Sequence, residues 1–95
     1  MKPVKTEIFS WGVKFIFADG SFCKKHYDGK EYWYDNLRDY HREDDLPAVI
    51  LSEMEKEWFI HGVRHRDNDK PARIMSGGLA EWYTNGKLVK RELFV

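Results

Sequence analysis

The run Trp58-Phe59-Ile60-His61-Gly62-Val63-Arg64-His65-Arg66-Asp67-Asn68-Asp69-Lys70-Pro71-Ala72 decides the fold of this chain. The apolar run Trp58-Phe59-Ile60 precedes His61-Gly62 and Val63 follows it, and an acidic stretch then ends at Pro71. A Gly beside a residue that tolerates positive φ, set between apolar runs, marks a tight β-hairpin turn. Working outward, Trp82-Tyr83-Thr84-Asn85-Gly86 repeats Trp58-Phe59-Ile60-His61-Gly62 after 24 residues. His41-Arg42 and Pro47-Ala48 precede His65-Arg66 and Pro71-Ala72 by the same 24. Trp33-Tyr34 opens that earlier copy, whose turn holds one extra residue. Ile16-Phe17-Ala18-Asp19-Gly20-Ser21-Phe22-Cys23 is a degenerate copy with Ile16 in place of Trp.

A fixed period of this size is the signature of a repeat protein. The expected fold is all-β, an antiparallel meander of short β-hairpin repeats with a period of about 24 residues. It forms one domain over residues 1–95, with a degenerate first unit at 11–31 and units at 32–51, 57–75 and 81–95.

Turn positions predict the registers. A two-residue turn at His61-Gly62 sets Ile60 opposite Val63, Phe59 opposite Arg64, Trp58 opposite His65, Glu57 opposite Arg66 and Lys56 opposite Asp67. At Asn85-Gly86 it sets Tyr83 opposite Leu88, Trp82 opposite Val89 and Glu81 opposite Lys90. At Asp28-Gly29, His26 faces Glu31. Asp19-Gly20 makes a further turn of this kind. Opposite charges meet and like charges do not, which favours these pairings modestly. Alternation puts Trp58, Ile60, Val63 and His65 on a core side, with Phe59, Glu57, Arg64 and Arg66 on a mixed, half-exposed side. Ala48-Val49-Ile50-Leu51 and Ala72-Arg73-Ile74-Met75 read as further strands.

The chain has 95 residues, enough for one small core, and its 16% of aromatic residues compensates for size. Charged residues make up 34%, and no apolar run approaches a bilayer span, so no membrane role is expected. Sixteen basic and sixteen acidic residues cancel. A neutral chain lacks the basic field that non-specific nucleic-acid binding needs. One cysteine, Cys23, forms no internal disulfide, and Met1 to Glu7 lacks the apolar stretch of a signal peptide; both point to the cytoplasm.

The pattern Trp-Tyr-x-Asn-Gly-x-x-His-Arg followed by Pro-Ala resembles the repeat of small proteins from tailed phages and some large DNA viruses, which often ends His-Arg-x-x-Gly-Pro-Ala. It is similar, more loosely, to variant MORN repeats, whose Tyr-x-x-Asn-Gly-Lys core occurs in some bacterial antitoxin-like proteins. The resemblance spans Tyr32 to Leu93. Leu46 and Lys70 stand where Gly is common before Pro, and Val89-Lys90 replaces His-Arg in the last unit, as in a terminal cap. The resemblance implies a β-repeat of viral origin. It implies no reaction and no fixed ligand.

Candidate site residues divide by chemistry. The Arg of each His-Arg pair is able to grip a phosphate or carboxylate. Packing is the favoured reading: Arg42 and Arg66 tied to the acidic turn just after them, and the His facing Trp. Cys23, His26, His61 and His65 have zinc-like spacings, but four ligands would have to converge from separate hairpins, so no metal site is expected. Neither a nucleophile motif nor a phosphate loop is present, so no catalytic residue, cofactor or enzymatic activity is expected. Tyr34, Phe59 and Tyr83 recur at equivalent positions beside Arg64, Arg66 and Lys90. With Arg42 they form the candidate partner surface, since Tyr and Arg dominate protein hot spots.

The expectation is a non-enzymatic binding protein. With the viral resemblance, this becomes a small accessory protein that binds a host or defence protein in the host cytoplasm and inhibits or redirects it. One alternative is a nucleic-acid-binding module using the aromatic and Arg face. The other is a structural protein that self-associates into homo-oligomers through its sheet edges.

Overall fold

Turn chemistry sets the strands. The computed structural model describes residues 2–94; Met1 and Val95, the ends of the expected domain, lie outside the described residues. His61-Gly62 and Asn85-Gly86 have φ of 46° and 82°, and of 50° and 83°. Both are type I′ turns, as their sequence requires. Asp19-Gly20 and Asp28-Gly29 correct the expectation. Only the Gly has positive φ in each. The Phe17 N–H donates to the Ser21 carbonyl and the His26 N–H to the Lys30 carbonyl, each at 2.9 Å, closing a loop one residue longer. Asp19 and Asp28 accept the N–H groups of Ser21 and Lys30 at 2.9 and 3.1 Å, side-chain turns that hold the longer loop. Lys25, not His26, therefore stands opposite Glu31.

The strands are β1 (Lys5–Phe9), β2 (Gly12–Ile16), β3 (Phe22–His26), β4 (Glu31–Tyr34), β5 (Val49–Ser52), β6 (Glu55–Glu57), β7 (Phe59–Ile60), β8 (Val63–Arg64), β9 (Arg73–Met75), β10 (Leu79–Thr84) and β11 (Lys87–Leu93). Nine of them form one antiparallel sheet in the order β1-β2-β3-β4-β5-β6-β9-β10-β11. The fold is an all-β meander, as expected. Strand β1 adds to the expected units; it pairs with β2 from Lys5 opposite Ile16 to Phe9 opposite Gly12. A Cβ at Gly12 would lie 2.2 Å from the Lys25 carbonyl oxygen, so only glycine lets β3 approach there. Among the described residues no helix is long and apolar enough to cross a membrane.

Strands β7 and β8 pair only with each other and leave the sheet at Trp58. Ile60 faces Val63 and Phe59 faces Arg64, as expected. Below them the expected register fails. Glu57 lies between Val49 and Arg73, and Lys56 between Ile50 and Ile74. The cause is a division of the Trp58 backbone. Its N–H donates to the Ala72 carbonyl at 2.7 Å, in line with the sheet, while its carbonyl accepts the His65 N–H at 3.2 Å, in line with the hairpin. Trp33 does the same one unit earlier, with Ala48 at 2.7 Å and His41 at 3.0 Å. Trp58 is thus the point where the chain passes from sheet to hairpin, whereas at Trp33 the pairing with β3 runs on to Tyr34. In the last unit pairing runs on through Trp82, but a bulge at Val89 sets Trp82 opposite Lys90 and Glu81 opposite Arg91, one residue from the expected register.

Ala48 and Ala72 are fully buried where the backbones of Trp33 and Trp58, earlier in the same units, dock, which explains the repeated Pro-Ala. Trp58, Cys23, Val49 and Ala80 are buried with them. Ile60 and Val63, expected in the core, are 41% and 42% exposed, because the β7–β8 tip stands clear of the sheet.

Candidate functional site

The His-Arg pairs are built identically in both units. The Arg42 guanidinium lies 3.8 Å over the Trp33 ring, and that of Arg66 lies 3.9 Å over Trp58. Such stacking is favourable where the ring is shielded from water. Each Arg also donates from Nη1 to the carbonyl of its own unit's Pro, at 3.2 Å to Pro47 and 3.0 Å to Pro71. The His residues reach forward. Nδ1 of His41 accepts the His61 backbone N–H at 2.9 Å, and Nδ1 of His65 accepts that of Asn85 at 3.1 Å. Nε2 of each then meets the acidic residue two places on, Glu43 at 2.8 Å and Asp67 at 2.7 Å. This corrects the expected packing: the His, not the Arg, contacts the acidic turn that follows. Arg66 instead forks onto Asp45 of the preceding unit, with Nε and Nη2 at 2.8 and 3.3 Å from its two oxygens.

The expected partner surface separates into two. Tyr34, Phe59, Tyr83 and Arg64 come together in one row. Arg42, Arg66 and Lys90 lie instead over the Trp rings. Adjacent strand residues point to opposite faces, so Trp33 and Tyr34 belong to different sides. The row needs Tyr40, which sequence reading passed over. Tyr34 lies 5.1 Å from Tyr40, and Tyr40 lies 5.3 Å from Phe59. The Arg64 guanidinium then sits 5.1 Å over Phe59 and 5.0 Å over Tyr83. Tyr40 and Arg64 occupy the same place, just before His-Arg, and that alignment was the available signal. Phe22 stacks on Tyr34 at 4.6 Å and extends the row. Every member from Tyr34 to Tyr83 is half-buried. Burial first, then its Tyr40 neighbour, pushes the Tyr34 hydroxyl up to about 12.

A charge cluster supports the row. Glu57, Arg73, Glu81 and Arg91 stand opposite one another on β6, β9, β10 and β11. Glu81 is 1% exposed. It accepts from Arg73 Nη1 at 3.2 Å, from Arg91 Nη2 at 2.7 Å and from the Tyr83 hydroxyl at 3.2 Å. Burial pushes its carboxyl up, but the hydrogen bonds from Arg91, Tyr83 and Arg73 outweigh this and hold it below its ordinary value. Arg64 pairs with Glu57, and among the described residues its buried Nε has no hydrogen-bond partner.

Two cavities repeat along the Trp-Arg grooves. The larger, about 380 Å³, is lined by Trp33, Arg42, His41, His61, Asp35 and Phe17, among others. The smaller, about 100 Å³, holds the corresponding Trp58, Arg66 and His65 together with Asp45. At the first of these, His41 and His61 stack at 3.9 Å, and His61 Nδ1 contacts the buried Asp35 at 2.9 Å.

The residues with zinc-like spacing are engaged separately. Cys23 is buried, His26 packs on Trp11 and Tyr32, and the other two make the contacts above. Among the described residues, no group of three or more His, Cys, Asp or Glu is arranged to hold a metal ion. Comparison with protein families, with curated proteins and with solved structures found no match.

Proposed function

We propose that this protein acts by binding, and that it docks another protein through the row Tyr34–Tyr40–Phe59–Arg64–Tyr83. One observation carries the reading: the row runs unbroken across three units while each member stays partly open to solvent. Rigid rings with an Arg among them supply contact area at low entropic cost, which is why such residues dominate hot spots. The resemblance to viral repeat proteins supports a virus-borne accessory role, with a host or defence protein in the cytoplasm as the partner that is inhibited or redirected.

The test is capture from host lysate with Phe59→Ser/Tyr83→Ser, using circular dichroism to verify folding and Lys90→Ala, which lies over Trp82 outside the row, as the charge control. Loss of capture by the folded ring variant is the expected result. A folded ring variant that still captures the same protein removes the row as the interface.

A nucleic-acid reading is favoured by Lys14 and Lys24, which stand opposite each other on β2 and β3. Lys14 lies 4.5 Å over Phe22 and Lys24 lies 5.6 Å over Tyr34, adding positive charge to one end of the row. Binding to single strands that falls steeply with salt would establish it. Self-association is favoured by the sheet's two outer strands, where Ile8 on β1 and Leu93 on β11 are 77% and 63% exposed. Size exclusion with light scattering tests it.

A further inference from the structure

Arg42 and Arg66 hold the same place in successive units and differ in one contact. Both stack on a Trp and both donate from Nη1 to a Pro carbonyl. Arg66 adds the fork onto Asp45, reached from the acidic turn of the preceding unit. Among the described residues, no carboxylate makes a salt bridge or hydrogen bond with Arg42; Glu31 acts on it at longer range and accepts from the Trp33 indole instead.

The difference comes from the degenerate first unit. Where the later units supply an acidic turn before Pro-Ala, this one turns at Asp28-Gly29, and the cavity is bordered instead by Asp19 and Ser21 of its hairpin loop. The Trp indoles record the change. Those of Trp58 and Trp82 donate to the carbonyls of Asp45 and Asp69, at 3.0 and 3.1 Å. That of Trp33 has no such carbonyl and donates to Glu31 at 3.1 Å. The space that the turn leaves is the larger cavity, about 380 Å³ against about 100 Å³ where Asp45 is present.

We propose that the cavity beside Arg42 binds a carboxylate, forked on the Arg42 guanidinium as Asp45 is on Arg66. The repeat itself displays the recognition, since the same Arg on the same Trp already holds a carboxylate one unit later. A planar fork matches that group in a bidentate manner. Phe17, Phe22, Trp33 and Leu46 add apolar wall, so the ligand carries an apolar body beside its acid.

Four carboxylates border the cavity, and three of them are hydrogen-bonded while keeping their charge. Asp19 accepts from Ser21, Asp35 from Leu37, Asp39 and His61, and Glu43 from His41. Asp44 remains, and its counterpart at the smaller cavity is the neutral Asn68. A singly charged carboxylate tolerates that rim better than a phosphate dianion does.

Two sources share this chemistry: a free organic acid and the acidic side chain of a peptide. The experiment titrates the full chain by NMR with phenylacetate, with a capped peptide of residues 43–48, and with inorganic phosphate. It follows the Trp33 indole N–H and Arg42 Nε–H signals. Saturable shifts with phenylacetate alone assign the free acid; tighter binding of the peptide assigns a protein partner. Arg42→Lys keeps the charge but loses the fork, and should weaken binding at least about tenfold. Asp44→Asn, at a position where the repeat elsewhere carries Asn, should tighten it. No shift with either carboxylate up to about 50 mM would overturn the proposal, since one charged fork registers in that range. So would phosphate binding as tight as carboxylate, binding unchanged in Arg42→Lys, or binding not tightened in Asp44→Asn. Phe22 and Tyr34 border both the cavity and the ring row, but Phe59→Ser/Tyr83→Ser leaves Arg42 and the cavity wall in place, so the two readings fail separately.

Discussion

The Nδ1 atom of His65 accepts the backbone N–H of Asn85, twenty residues away, at 3.1 Å. The bond ties the last strand of one hairpin to the turn of the next, and His41 repeats it onto His61 at 2.9 Å. Beside it, the Gly62 and Gly86 N–H groups donate to the Tyr40 and Arg64 carbonyls at 2.7 and 2.9 Å. The repeat is therefore coupled unit to unit by the residues that define it. His65→Leu should lower stability by about 1 kcal/mol, the net worth of one such bond. Asp67→Ala, at the exposed end of the same His, should change it by less than about 0.5 kcal/mol. Urea midpoints compare the two, and equal values would deny His65 its capping role.

Trp58 joins sheet to hairpin and is 6% exposed. Trp58→Ala removes the ring beneath Arg66 and the indole bond to Asp45 together. The expected cost is about 3–5 kcal/mol, which unfolds much of a domain this small. Thermal melting measures it, and a wild-type melting point would show that the ring is not core.

Type I′ geometry makes Gly86 irreplaceable by a branched residue. Its φ is 83°, and a Cβ would already lie 3.3 Å from Val63 Cγ1. Gly86→Val should cost roughly 1–3 kcal/mol, whereas the exposed Lys87→Val should stay within about 0.5 kcal/mol. Denaturant midpoints of the two variants decide, and equal tolerance would mean the turn is not needed for register.

Acid should unfold the chain through its paired carboxylates. Hydrogen bonds from Arg66 and Lys70 lower the Asp45 carboxyl from 3.8 to about 2. At Asp35, burial pushes the other way, but hydrogen bonds from His61 and from the Asp39 and Leu37 N–H groups prevail. Glu81 is lowered likewise. A depressed folded value means that the unfolded chain binds protons more readily. The stabilisation is complete above the unfolded value and disappears as pH falls through the folded one. For Asp45 the loss runs from about 3.8 down to about 2. Urea midpoints measured from pH 5 to pH 2 should fall over that window, and Asp45→Asn should make the fall shallower. An identical slope in the variant would remove Asp45 from the acid response.

Much of the site was legible because local rules govern it. Two turns were readable from His61-Gly62 and Asn85-Gly86, since type I′ geometry demands positive φ at both places. The pairs Ile60–Val63, Phe59–Arg64 and Tyr83–Leu88 followed from those turns. The recurrence of Tyr34, Phe59 and Tyr83 marked the row. Its other bridging member, Tyr40, was harder, because it shares the position of Arg64 but not its chemistry.

By itself, then, the order of residues determined the all-β class, the period and the turns, since each depends on neighbours in the chain. Only the tertiary structure decided where the repeat breaks its own pattern. Whether a strand stays in the sheet past Trp58 depends on hydrogen bonds to distant backbone such as Ala72. Whether an Arg meets its following acid or the one a unit earlier depends on which turn packs beside it. Arg66 meets Asp45 because that turn is present, and Arg42 faces an open cavity because the first unit lacks it. Such contacts join residues 14 to 21 apart, from Trp58 with Ala72 to Arg66 with Asp45, and no local spacing encodes them.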